Sequence, residues 1–171
     1  IGSVQQIFFD IFHEPHLFPA MFAGVAGAMA VASYTNSRIV ERFGTRRVSH
    51  GALIGFFVIA VVHFGFAVTG HETMWSFAIL QALMMGCFGL SVGNFGAMAM
   101  ESLGHVAGTA SSVQGCIQTV GGALIGFVIG QMFDATTIPL TAGFVLTALV
   151  ALAAVFVTER GRLFQPHMAG A

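Results

Sequence analysis

Within one long apolar stretch, Gln81, Met84, Phe88, Ser91 and Asn94 recur at intervals of three or four residues. On a helix that spacing gathers them on one face, which then offers amides, a thioether, an aromatic ring and a hydroxyl. Such a face could hold a bulky, partly apolar ligand. It could equally bond to neighbouring helices, because an amide in lipid needs an internal partner or a wet cavity. The residues alone leave both readings open. Gln5 and Gln6, near the start of the chain, are candidates for the same lining, whereas Gln114 and Gln118, one helical turn apart, read as ties between helices.

Other chemistry is limited by which residue types occur and where. No Asp or Glu falls at the centre of an apolar stretch, so the chain offers no obvious intramembrane proton carrier. His63, deep in an apolar run, could titrate near neutral pH; a neutral ring bonded to a backbone carbonyl or a neighbour is the expectation. His13, His16, His71 and His105 fall at connections, with spacings that suggest no metal site. Cys87 and Cys116 lie in apolar surroundings and read as small hydrophobes. No nucleophile sits beside a base, and there is no phosphate loop or catalytic pair. The chain is therefore not expected to be an enzyme, and no cofactor or metal is expected.

The elements that must position these residues follow from composition. Of 171 residues 56 % are apolar and only 8 % charged, with a mean hydropathy of +0.87; an ordinary soluble domain carries about 25 % charged residues. So few charges cannot clothe a soluble globule, and most of the surface must face lipid. A net charge of −1 leaves no basic field for nucleic acid. A spanning helix needs about 20 mostly apolar residues, and five stretches qualify: 17–35, 51–69, 74–100, 106–133 and 137–157. They are too long for barrel strands, so an all-α membrane protein is expected. Pro15, Pro19, Pro139 and Pro166 fall in loops or first helical turns, where the missing N–H is harmless.

Charge placement fixes a topology. Arg38, Arg42, Arg46 and Arg47 follow the first full span, and Arg160 and Arg162 follow the last, so both groups lie on one side. By the positive-inside rule that side is the cytoplasm, which puts the 160–171 tail there. The connections 10–16, 70–72 and 134–136 carry no Arg and read as outer loops, with Trp75 as an interfacial anchor. Residues 1–12 reach only about 18 Å; they are expected to be the outward part of a helix that begins in the cytoplasm, and the chain to be the later part of something larger.

Helix character also varies along the chain. The span from 17 carries small residues at Ala20, Gly24, Ala28 and Ala32, and the span from 106 carries Gly108, Ser111, Gly115, Thr119, Gly122, Gly126 and Gly130 along one face. Small faces permit close helix contact in lipid, so Gly24, Ala28, Gly115, Gly122 and Gly126 are expected to pack. The spans from 51 and 137 are richer in Leu, Val, Ile and Phe and are expected to wall the bundle against lipid. The order of these characters, counted from the partial helix, repeats after three helices, as in the inverted repeats of secondary transporters.

Glu41-Arg42-Phe43-Gly44-Thr45-Arg46-Arg47 resembles the loop motif of the major facilitator superfamily, acidic-Arg-x-Gly-x-Arg-Arg, with Glu in place of the more usual Asp. The stretch from Asn94 through Glu101 to Ser112, with Gly130-Gln131-Met132-Phe133-Asp134 and Pro139-Leu140, is similar to the bicyclomycin and chloramphenicol resistance (Bcr/CflA) branch of drug:proton antiporters. The resemblance implies the C-terminal six-helix half of a twelve-helix fold, residues 1–159, with its first helix truncated and five helices complete. It implies a bacterial inner-membrane exporter of drugs or other small amphipathic molecules, coupled to protons and working by alternating access. The first and fourth of these helices would line the cavity, the second and fifth would meet the missing N-terminal half, and the third and sixth would face lipid. In the family the proton-titrating acids are mostly in the other half. Glu41, Arg42, Gly44, Arg46 and Arg47 would form a cytoplasmic gate that pairs with acids or helix C-terminal carbonyls in one state; the same arginines could instead set topology and hold anionic lipid. A metabolite carrier and a non-transporting membrane scaffold are the alternatives.

Overall fold

A computed structural model describes residues 2–101, 103–159, 161 and 163–164, and among them there is no strand. A short helix α1 (Gly2–Gln6) runs on as a π-helical turn (Ile7–Ile11), and a 3₁₀ turn (Pro15–Leu17) leads into α2 (Phe18–Phe43). Then come α3 (Thr45–Thr69), α4 (Met74–Met100), α5 (Ala107–Gln131), entered through a 3₁₀ turn at Gly104–Val106, and α6 (Ile138–Thr158). The five helices α2 to α6 are long and apolar enough to cross a membrane. At 1.5 Å per residue each reaches about 30 to 40 Å, enough for hydrocarbon about 30 Å thick.

Local chemistry explains where they stop. Gly44 (φ +82°) alone separates α2 from α3, and Gly70 (φ +68°) ends α3; both conformations favour glycine. At the start of α4 Thr73 and Ser76 cap each other, the Ser76 N–H donating to Thr73 Oγ1 at 3.2 Å and the Thr73 N–H to Ser76 Oγ at 2.9 Å. Pro19 and Pro139 occupy first turns of α2 and α6. The segment between the expected spans 17–35 and 51–69 is helical on both sides of Gly44, because Arg, Glu and Val tolerate helix and only the glycine breaks it. Arg160, Arg162 and the tail from 165 onward lie outside the described residues, as does Ile1.

Helix α4 packs against α2 on one side and α3 on the other, and α3 packs in turn against α6. The resulting layer is closed at one end by a core of Ile7, Phe8, Phe77 and Leu140. There the rings of Phe8, Phe12 and Phe77 meet edge to face at 5.7 to 6.0 Å. Helix α5 touches its neighbours sparsely, and neither α2 nor α5 buries a residue. The supposed wall helices α3 and α6 each bury several. Within this chain, then, the small-faced helices are the open ones. Beyond Gly24, Gly115, Gly122 and Gly126 there is no atom within 4 Å of where a Cβ would stand; Ala28 is half-buried.

Candidate functional site

The polar positions of α4 come to lie mostly inside the bundle. Gln81, Met84, Ser91 and Asn94 are buried, while Phe88 turns 41 % of its surface outward. Asn94 and Asn36 of α2 exchange amide hydrogen bonds, each Nδ2 donating to the other's Oδ1 at 2.9 Å. Asn94 Nδ2 also donates to the Leu90 carbonyl at 2.8 Å. Ser91 Oγ bonds back to the Cys87 carbonyl at 3.0 Å. Gln81 Oε1 is buried without a partner among the described residues. Gln5 and Gln6 of α1 are exposed. Thus Asn94 ties two helices, and of the α4 set Phe88 offers the most open surface.

The contact of α2 with α4 depends on Gly89. A Cβ there would stand 2.6 Å from the Met29 carbonyl oxygen and 2.9 Å from Ser33 Oγ, and Ser33 Oγ donates to the Gly89 carbonyl at 3.2 Å. A backbone approach this close is possible only without a side chain.

One end of the bundle is charged. Arg46, in the first turn of α3, forks between Glu159 beyond α6 and Glu101 beyond α4. Its Nη1 bonds Glu159 Oε1, and its Nη2 is 3.5 Å from Glu101 Oε2. Arg46 and Glu159 side chains are 17 % and 10 % exposed, Glu101 66 %. His50 is buried, 4.0 Å from Glu159, and accepts the Phe164 N–H on Nδ1 at 3.1 Å. Arg47 Nε donates to the Phe164 carbonyl at 3.4 Å. Glu41 and Arg42 are exposed, with the Arg42 guanidinium 5.4 Å from the Phe43 ring centre. A hollow of about 450 Å³ lies among Phe43, Arg46, Arg47, Met98, Glu101 and Phe164. Arg46 therefore binds its own bundle, and Arg42 and Glu41 are left facing outward.

The opposite end holds a cluster that the linear order of residues hid. His63 of α3 and Glu72 of the α3–α4 connection meet, Nε2 to Oε1, at 2.7 Å, with side chains 0 % and 6 % exposed. That separation is ion-pair distance, at the buried end of both side chains. Thr137, just before α6, donates its hydroxyl to Glu72 Oε2. Glu72 reads as an outer-loop residue by position, yet its side chain turns back to the buried histidine. A carboxylate a few residues past a histidine-bearing span was the available signal.

Compared with known proteins, the chain matches no family model, no curated protein and no solved structure.

Proposed function

We propose that the chain is one helical bundle of an alternating-access membrane carrier, of the major facilitator type and similar to its Bcr/CflA branch. Its work in this reading is the proton-coupled efflux of drugs or other small amphipathic molecules across a bacterial inner membrane, with the arginine end in the cytoplasm. The observation that carries the reading is where cover is lacking. Helices α2 and α5 are apolar and membrane-length but have no fully buried residue, and Gly24, Gly27, Gly115, Gly122 and Gly126 face open space. In lipid, a small-residue stripe gains stability when another helix closes on it. A second, N-terminal bundle seated across α2 and α5 would use both stripes at once.

The rest of the molecule fits such a partner. Phe88 is the side chain of the polar α4 face that offers the most open surface to a cavity between bundles. Arg42 and Glu41 are free to meet the partner bundle at the arginine end, while Arg46 keeps α3, α4 and α6 of this bundle together. Rocking of two such bundles opens a midplane site to each side in turn.

The test uses everted membrane vesicles from cells that make the protein together with its partner bundle. Adding an amphipathic cation to energised vesicles should dissipate the pH gradient, and Gly122→Leu should abolish the effect at unchanged protein level. Absence of substrate-driven proton flux, or full flux in the Gly122→Leu variant, would refute the reading.

A further inference from the structure

We infer that the hollow at the arginine end binds the phosphodiester of a membrane phospholipid, held by Arg47 and the first turn of α3. Helix α3 begins directly after Gly44 with no side chain capping it, so the N–H groups of its first turn have no acceptor within the helix. They carry the positive end of the helix dipole, where an acidic side chain is stabilising. This first turn has no acid and holds Arg46 and Arg47 instead. Arg46 is satisfied by Glu159 and Glu101. Arg47 is exposed and its Nε meets the Phe164 carbonyl at 3.4 Å, which leaves its two Nη groups for another acceptor. Thr45 adds a hydroxyl to the same wall of the hollow.

The chain holds no spare carboxylate for Arg47. All seven acidic residues are among the described ones: Asp10, Glu14, Glu72 and Asp134 belong to the opposite end, Glu101 and Glu159 are on Arg46, and Glu41 is exposed and pairs with no arginine. By sequence all six arginines fall at this end against Glu41, Glu101 and Glu159, an excess of three positive charges. A counter-anion for Arg47 therefore has to come from outside the chain.

Three observations select a lipid phosphodiester over free phosphate. The hollow, about 450 Å³, is walled on its other side by Phe43, Ala97, Met98 and Phe164, of which Phe43 and Phe164 are 52 % and 40 % exposed. Such a wall suits glycerol and the first acyl carbons, not a hydrated ion. Glu101, 66 % exposed at the rim, disfavours a second negative charge; a diester carries one, whereas a phosphomonoester carries nearly two at pH 7. Depth agrees as well. Arg47 stands four residues before Gly51, where the apolar run of α3 begins, hence about 6 Å along the axis, and the headgroup layer is about 5 to 8 Å thick on each side. Basic pockets between helices at that level hold lipid headgroups. The hollow is built from the end of α2, α3, α4 and the segment after α6, so the inference does not rest on the transport reading.

Native mass spectrometry of the full chain, released from micelles that contain phosphatidylglycerol, tests it. One phospholipid should stay bound per chain, and diacylglycerol, with the same tails and no phosphate, should not. Arg47→Gln should weaken retention at least about fivefold, the effect of one arginine at a lipid surface. Ala97→Phe, which keeps every charge and fills the hollow, should weaken it similarly and serves if Arg47→Gln does not fold. Arg38→Gln, at an exposed arginine outside the hollow, should leave retention unchanged. Equal retention in all variants overturns the proposal, and so does an equal fall in Arg38→Gln, which would mean diffuse attraction to the membrane. Displacement of the lipid by inorganic phosphate would make the ligand a free anion and overturn the lipid assignment.

Discussion

Gly89→Ala should destabilise the bundle, although alanine is the better helix former. The new Cβ would lie 2.6 Å from the Met29 carbonyl oxygen, whereas carbon and oxygen settle at about 3.3 Å or more. The α2 and α4 backbones must therefore separate by about 0.7 Å, and neither is a side chain that can swing aside. Overpacking of this kind costs about 1 to 3 kcal/mol. Weakening the Ser33–Gly89 hydrogen bond adds about 0.6 kcal/mol, the average for interhelical bonds in lipid. Helix propensity returns at most about 1 kcal/mol. The net loss is about 1 to 3 kcal/mol. Gly93, one turn on, has no atom within 4 Å of its would-be Cβ, so Gly93→Ala keeps only the propensity gain. Reversible unfolding of both variants in mixed micelles reads the difference directly. If Gly89→Ala is as stable as Gly93→Ala, the close α2–α4 approach is absent and the reasoning fails.

The Asn36–Asn94 pair should show coupling of about 0.6 to 1.7 kcal/mol in a double-mutant cycle with alanine, measured in the same micelles. At the arginine end, Arg46→Ala leaves the 10 %-exposed Glu159 without its cation and should cost about 2 kcal/mol, less than for a fully buried pair because Arg46 keeps some water contact. Glu101→Gln, at a carboxylate 66 % exposed, should stay within about 0.5 kcal/mol, and thermal unfolding ranks the two. Ala135 holds φ +62°, a left-handed conformation that strains a side chain by about 1 kcal/mol. Ala135→Gly should therefore match or exceed the parent melting temperature, and Gly70→Ala (φ +68°) should lower it.

What the sequence made legible was set by lipid. Length and apolarity alone define α2 to α6, because a chain in hydrocarbon has few ways to satisfy its backbone. The spacing places Gln81, Met84, Phe88, Ser91 and Asn94 along one face of α4, of which Phe88 stays 41 % exposed and the others are buried, but periodicity does not say what lies opposite; Asn36, one residue beyond the expected 17–35 span, is what Asn94 bonds. Apolarity marks only the part of a helix that lies in lipid, and the charged residues up to Phe43 carry α2 on beyond it. The small-residue stripes were visible as stripes. That they stay open in this chain was not, since a stripe declares a capacity for close contact and never names its partner. Place along the chain puts Glu72 in an outer connection, but side-chain reach carries it further: a residue just past the end of α3 meets one six residues inside it.

The two ends of the bundle are fastened by different chemistry. At the arginine end, Arg46 spans two carboxylates and Phe164 engages both His50 and Arg47. Losing any one contact leaves the others. The contact to Glu101, 66 % exposed, is the one that salt screens. At the other end, α3, the α3–α4 turn and α6 converge on a single carboxylate that touches one ring and one hydroxyl. The Glu72 side chain is 6 % exposed, close to the 10 % of Glu159 at the arginine end. The apolar core of Ile7, Phe8, Phe77 and Leu140 lies at that end too, so packing joins α4 and α6 there beside the polar contacts.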